Sequence, residues 1–271
     1  MDYNEKWNRL LMASRKKGNC YDNHDRARAY NSSSAIKLDG ETRVRSFEIH
    51  PDWTALDIGS GPGTLTIPLA RRLKQVTAVE PSQAMIECLL ENMKEDNINN
   101  IDIINAKWED VDSRSLNTYD LVIASYSLTM PNIKDALLKM NQVAGRRVIL
   151  YWFAGITSWE QLNIDLCPLV KKEEYTPFPK CDLIYNVLYQ SGIYPEVSVL
   201  HDTYFHREFA DVDAAINDLK KSMAITTDDF NNSLAEYIKE HYLSEGNKLI
   251  FEDTTKYVQV SWTPAAVLKE N

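Results

Sequence analysis

The sequence predicts an α/β protein: a doubly wound, mostly parallel sheet with helices on both faces and an inserted helical cap. Three observations predict it. The apolar run 54–58 ends in Asp57-x-Gly59-x-Gly61-x-Gly63 and passes at once into a helical segment, 64–74. Strand, tight glycine turn and helix in that order make the nucleotide-binding unit of such folds. Short apolar runs then alternate with amphipathic segments as far as residue 151, the pattern of parallel strands covered on both faces. Residues 152–206 interrupt that alternation with an aromatic-rich connection, where links outside the helices usually run about 2–6 residues.

Taken in order, residues 1–50 read as helical pieces, with Trp7, Leu10 and Leu11 on one face and a loop at Asn31-Ser32-Ser33-Ser34. Residues 51–151 form the core: strand 54–58, helix 64–74, strand 76–80, helix 82–96, strand 101–104, strand 120–124, helix 132–143 and strand 147–151. Ser82 after Pro81 is a natural helix N-cap, and Asn97, Asn99 and Asn100 break the chain before the third strand. Residues 152–206 are the expected cap, two helices at about 158–170 and 180–191 joined across Pro177 and Pro179, with aromatic side chains that line an acceptor pocket or form the cap's own core. Residues 207–271 supply two more helices and the run 257–262, which alternates with period two and reads as a last strand.

The glycine loop and the next strand narrow the ligand. Gly59, Ser60, Gly61 and Gly63 form a turn whose glycines let backbone approach a bound molecule, because no Cβ intervenes. The spacing is not G-x-G-x-x-G, which needs glycine where Thr64 stands. Glu80 ends the second strand, where an acid accepts the hydroxyl hydrogens of a ribose. Asp57 adds a carboxylate that repels phosphates. A ligand with a ribose, positive charge and no phosphate fits, and S-adenosyl-L-methionine has a ribose, an ammonium and a sulfonium.

With these motifs in place, segment 54–128 resembles the class I S-adenosylmethionine-dependent methyltransferases. Asp57, Gly59, Gly61 and Gly63 match the first motif of that family, Glu80-Pro81-Ser82 the second, and Tyr119-Asp120-Leu121-Val122 the start of its fourth strand. The resemblance implies a seven-stranded sheet with an antiparallel last strand. It implies N-terminal helices over the cofactor with Tyr30 near it, and the loop carrying Lys107 and Trp108 around the adenine. It also implies Ser125 and Tyr126 beside the transferring methyl. An acid often stands in the family where Lys107 stands here, so the adenine contact is expected from backbone groups and the Trp108 indole.

The bulk properties bound the function. No run of 18 apolar residues predicts a membrane span, and the first twenty residues lack a signal-peptide core, so a cytoplasmic protein is expected. A net charge of −9 makes a nucleic-acid partner unlikely. The four cysteines form no C-x-x-C pair, so no metal site is signalled. There is no Asn/Asp-Pro-Pro-Tyr to hold a planar amine. The expected enzyme is a methyltransferase acting on a small-molecule acceptor. The alternatives are a protein or RNA acceptor, or an NAD-dependent oxidoreductase, which Glu80 suits but Asp57 and Thr64 oppose. Tyr126, His201 and His206 are the candidate general bases. Oligomeric state is not legible.

Overall fold

The run Thr54–Ile58 is the first strand, β1. Three helices precede it: α1 (Tyr3–Ser14), α2 (His24–Asn31) and α3 (Ser34–Arg45). After it come α4 (Thr66–Ala70), β2 (Gln75–Val79), α5 (Gln83–Glu95), β3 (Ile101–Ile104), β4 (Tyr119–Ser125), α6 (Ile133–Val143) and β5 (Ala144–Ala154). The chain continues through α7 (Ser158–Val170), α8 (Cys181–Gln190), β6 (Glu196–Val199), β7 (Arg207–Phe209), α9 (Val212–Met223) and α10 (Asn231–His241). It ends with β8 (Leu243–Glu245), β9 (Lys248–Phe251) and β10 (Lys256–Trp262). This computed structural model describes residues 1–14, 22–200 and 206–264. No helix among them is long and apolar enough to cross a membrane.

The chain divides into two units. The first comprises the described residues of Met1–Trp152, Pro179–Leu200 and Tyr257–Asn271, the second those of Phe153–Phe178 and His201–Lys256. The expected cap at 152–206 is therefore divided. Its second helix, α8, belongs to the first unit, where Leu183, Ile184, Val187 and Leu188 are buried and the Trp152 indole donates to Pro179 O at 2.8 Å. An apolar helix face goes where it finds apolar area to cover, and chain order alone does not say where that is.

The first unit holds a seven-stranded sheet of order β3-β2-β1-β4-β5-β10-β6. β1 is parallel to β2 and β4, β2 to β3, and β4 to β5, while β10 is antiparallel to β6. The sheet is thus mostly parallel with one antiparallel strand, as the sequence implied. β1, β2 and β4 are almost wholly buried, as apolar strands covered on both faces must be. The strand order reverses direction between β1 and β4, and such a switch point leaves a crevice beyond the strands' carboxyl ends. Register brings Ile58, Val79, Ile104 and Ala124 to that edge, with Ser125 beside Tyr151.

The helix expected at 64–74 is shorter, a single turn at Thr66–Ala70 with every residue buried and no side-chain cap. Pro68 removes one amide hydrogen, and Arg71 closes the turn by donating its N–H to Ile67 O. A helix this short has almost no dipole to offer a ligand.

The second unit has its own core, in which Leu162 and Leu166 of α7 pack with Leu219 of α9, Leu234 and Ile238 of α10, and Phe251. A three-stranded antiparallel sheet, β7-β9-β8, belongs to it. These strands, and β6, went unread because each has only three or four residues, too few for an alternation to register. α7 starts in a capping box between Thr157 and Glu160. The Glu160 carboxylate is fully buried and accepts from the Thr157 and Phe178 N–H groups, at 2.9 and 2.8 Å.

Candidate functional site

The loop after β1 commits its backbone donors to the fold. Gly59 and Ser60 donate their N–H groups to Val79 O at 2.7 and 3.2 Å, and Gly63 donates to Ser60 O at 3.0 Å. Gly61 N–H donates to Glu80 Oε2 at 2.9 Å, and Pro62 has no N–H. A pyrophosphate cradle needs free, convergent N–H groups, and residues 59–63 have none to give. The glycines serve geometry: all three have positive φ, +70° at Gly59, +55° at Gly61 and +92° at Gly63. A Cβ on Gly59 would overlap Ser127, 2.8 Å from its Oγ, and one on Gly63 would meet Leu89 Cδ1 at 2.5 Å. A Cβ on Gly61 would meet nothing within 4 Å, so that position faces open space.

Glu80 stands at the tip of β2 and is 6% exposed. Its two oxygens accept from Gly61 N–H at 2.9 Å and Ser82 N–H at 2.8 Å. Burial pushes its pKa up, and those two backbone donors hold the carboxylate against it. Each oxygen keeps a further lone pair for a ligand hydroxyl. Pro81 is exposed, and Ser82 caps α5 by accepting from Met85 N–H. Asn105 donates to Glu80 O at 3.0 Å, tying the end of β3 to that of β2. The sequence reading missed this role, and nothing in an isolated asparagine announces it.

Asp57 is buried at 2% exposure and accepts from Thr66 Oγ1 at 2.6 Å. Burial raises its pKa to about 6, opposed by the Thr66 hydrogen bond, reinforced by Glu80 and opposed by Arg43. The edge is therefore rich in negative charge and suits a cationic ligand.

Helix α3 lies against the loop. Gly40 is close enough to Thr64 that a Cβ there would come 2.7 Å from Thr64 Cγ2. One turn on, Arg43 is 8% exposed and donates to Ser125 Oγ at 2.6 Å and to Asp39 Oδ2 at 2.6 Å. Its guanidinium carbon lies 5.2 Å from the Tyr126 ring centre and 4.7 Å from that of Tyr151. Asp39-x-x-x-Arg43 looks in the sequence like an ordinary solvated ion pair, so its burial could not be foreseen. Tyr30, on α2, is partly buried and its hydroxyl is hydrogen-bonded to Thr64.

Other expected residues stand differently. Trp108 is 2% exposed, donates its indole N–H to Ala136 O at 3.1 Å, and has Lys139 Nζ 4.2 Å from its ring centre. A buried indole N–H needs an acceptor, and α6 supplied it, so the ring packs on α6. Lys107 is exposed at the start of the same turn. Asp120 of the fourth-strand motif accepts from Thr54 N–H at 3.0 Å and Arg146 Nε at 2.8 Å, at the opposite end of the strands. Tyr126 has φ +55° and sits edge-on to Tyr257, ring centres 5.8 Å apart. Burial drives its phenol pKa well above the ordinary value, so at neutral pH it is a protonated donor and not a base. His206 belongs to the second unit, half exposed, with Nε2 3.4 Å from Glu208 Oε1. His201 lies outside the described residues.

The comparisons agree with this geometry. Residues 55–145 match the family model described as Methyltransferase domain. The chain is 28% identical over 176 residues to a mitochondrial ribosomal RNA small subunit methyltransferase of Arabidopsis thaliana, covering 58% of this chain and 45% of that protein. It is 28% identical over 243 residues to a probable ribosomal RNA small subunit methyltransferase A of Methanosarcina mazei, covering 77% and 87%. It spans about half the length of the first curated relatives it matches, 54% and 45%. Magnesium protoporphyrin IX methyltransferase of Synechocystis, solved with bound SAH, has the same fold, with a TM-score of 0.53 at 14% identity over 96% of this chain and 93% of that one. Glycine loop, ribose-type acid and strand order thus accompany a methyltransferase-domain match over residues 55–145, and the chain resembles the class I S-adenosylmethionine-dependent methyltransferases in its Rossmann-like fold.

Proposed function

We propose that the chain binds S-adenosylmethionine along the carboxyl edge of β1, β2 and β4 and methylates a small-molecule acceptor. One observation carries the reading. The loop N–H groups of residues 59–63 are spent within the fold while Glu80 keeps open lone pairs. That arrangement suits a ribose and a cation and is ill-suited to a pyrophosphate. In this reading Asp57 balances the cationic end, Glu80 holds the ribose, and residues 107 and 108 face the adenine through backbone groups.

Bound S-adenosylmethionine supplies a methyl group already activated on sulfonium. The chain's work is then to bring an acceptor in line with it, and positioning of this kind contributes up to about 7–11 kcal/mol. Tyr126, Tyr151 and Tyr257 cluster where β4 and β5 end and β10 begins. Such aromatic surface favours an apolar or planar acceptor and excludes water. With Tyr126 protonated, an acceptor whose nucleophile needs no strong base fits best.

RNA methylation is the second reading, favoured by the archaeal relative's 28% identity over 243 residues. The net charge of −9 weighs against it. Donor carrying a radiolabelled methyl, incubated with low-molecular-mass extract and separately with total RNA, tests the choice. Label in the small-molecule fraction supports the first reading, label in RNA the second, and label in neither contradicts both.

A further inference from the structure

We propose that two copies of this chain join edge to edge through β6, which pairs with itself about a two-fold axis and continues the seven-stranded sheet into a second molecule. The surface involved is one that the cofactor reading does not use.

β6 ends the sheet and, among the described residues, pairs only with β10. In an antiparallel pair, successive residues turn their N–H and C=O groups alternately toward the partner strand and away from it. Leu200 N–H donates to Tyr257 O at 2.9 Å, so Leu200, Ser198 and Glu196 turn toward β10. Val197 and Val199 therefore turn their backbone groups outward. Such an edge is a template for another strand unless charge, a bulge or proline guards it. Val197-Ser198-Val199 carries no charge, its register with β10 runs without a bulge, and Pro195 stands before the strand.

The side chains beside that edge are apolar and bare. Val197 and Val199 are exposed, although they pair with the buried Val260 and Val258 of β10. Arg147 and Tyr151 donate to Ser261 and Gln259 on the other face. The valines thus share the face of Trp152, whose indole donates to Pro179 O just before α8. On α8, Tyr185 and Tyr189 are exposed and stacked, with ring centres 6.2 Å apart. Tyr194, exposed in the turn toward β6, sits edge-on to Tyr189 at 5.4 Å.

These five side chains expose roughly 500 Å² on each copy, taking a whole tyrosine as about 150–250 Å². Two copies covering one another reach about 1,000 Å², where specific interfaces begin, before the strand backbone is counted. The occupant is a second copy because the edge is self-complementary. A two-fold axis through Ser198 sets Val197 opposite the partner's Val199 and Val199 opposite the partner's Val197, two pairs that each exchange both backbone hydrogen bonds. It lays both tyrosine stripes on one face of the joined sheet. Glu196 falls opposite the partner's Leu200, so no like charges meet. Residues 181–199 contain Asp182 and Glu196 and no lysine or arginine, which disfavours RNA stacked on this stripe.

Sedimentation equilibrium at micromolar concentrations tests the pairing, and the wild type is expected to dimerise. Val199→Lys puts a charge on the pairing edge and Tyr189→Glu puts one in the stripe. Each should weaken the dimer at least about tenfold, while Leu169→Glu, at an exposed position of α7 in the second unit, should leave it unchanged. In Ser198→Cys the two thiols meet across the axis in a non-hydrogen-bonded pair, with Cα atoms about 4.5 Å apart and within reach of a disulfide. Mild oxidation should cross-link this variant far more than the wild type or Glu196→Cys. Circular dichroism checks that each variant folds, and Tyr189→Glu, altered at an exposed ring, decides if Val199→Lys does not. A monomeric wild type overturns the proposal, including one that associates only when RNA is added. A dimer indifferent to Tyr189→Glu, or one in which Ser198→Cys cross-links no better than Glu196→Cys, also overturns it.

Discussion

Adding one methyl group to Gly61 separates a glycine kept for folding from a glycine kept for a ligand. At φ +55° an alanine pays the left-handed penalty of about 1–2 kcal/mol. Its Cβ meets no protein atom within 4 Å. Folding should therefore suffer little else, and a loss of about 1–2 kcal/mol lowers the melting temperature by roughly 2–8 °C in a chain of this size. In the proposed cofactor loop, the same methyl would enter space the ligand fills. Overpacking by one carbon costs about 1–3 kcal/mol, so the dissociation constant for S-adenosylhomocysteine should rise about fivefold to more than a hundredfold. Gly59→Ala is the control. It has the same φ penalty, and its Cβ falls 2.8 Å from Ser127 Oγ. It should lose about 2–5 kcal/mol of stability in total. Differential scanning calorimetry and ligand titration on the two variants give the comparison. Wild-type affinity in Gly61→Ala, or equal stability losses in the two variants, would refute the reasoning.

Three other outcomes are expected. Removing the ribose 2′-hydroxyl from S-adenosylhomocysteine should cost the wild type about 1.5–3 kcal/mol of binding. Glu80→Gln should shrink that difference, and a difference of equal size in both proteins would clear Glu80 of the ribose. The raised pKa of Asp57 means the folded chain holds this proton more tightly than the unfolded chain. Its contribution to stability is complete below pH 3.8 and is lost as pH rises to about 6, amounting to about 3 kcal/mol. Asp57→Asn should accordingly be more stable than wild type at pH 7 in chemical denaturation, with the advantage vanishing near pH 4; no gain at pH 7 would show that the charge is not strained. In the second unit, Glu160→Ala strands the N–H groups of Thr157 and Phe178. A loss of about 2–4 kcal/mol is expected in denaturant unfolding, and a change under about 0.5 kcal/mol would contradict the buried capping box.

How much of this could be read beforehand depends on where the information resides. The placement of Asp57 and Glu80 at strand ends and of Gly59, Gly61 and Gly63 in the turn was legible because motif spacing and strand periodicity are local properties of the chain. Their detailed work was not. The commitment of the loop donors to Val79 O and Glu80 exists only once β1 and β2 are side by side. Arg43 and Gly40 were invisible for the same reason, since nothing local distinguishes a helix that covers a crevice from one that faces water. The partner of Trp108 was equally invisible: the need of a buried indole N–H for an acceptor is met by Ala136 O, on a helix the sequence does not place beside it. The cap boundary differed because the apolar face of α8 is covered by α1 and α6, elements distant in sequence.

The central claim is that this carboxyl edge takes an adenosyl ligand with a cationic tail and no phosphates. A calorimetric titration with S-adenosylhomocysteine and, separately, with NAD tests it most directly. The account predicts one S-adenosylhomocysteine bound per chain and no heat of binding for NAD. Binding of NAD in place of S-adenosylhomocysteine would contradict it.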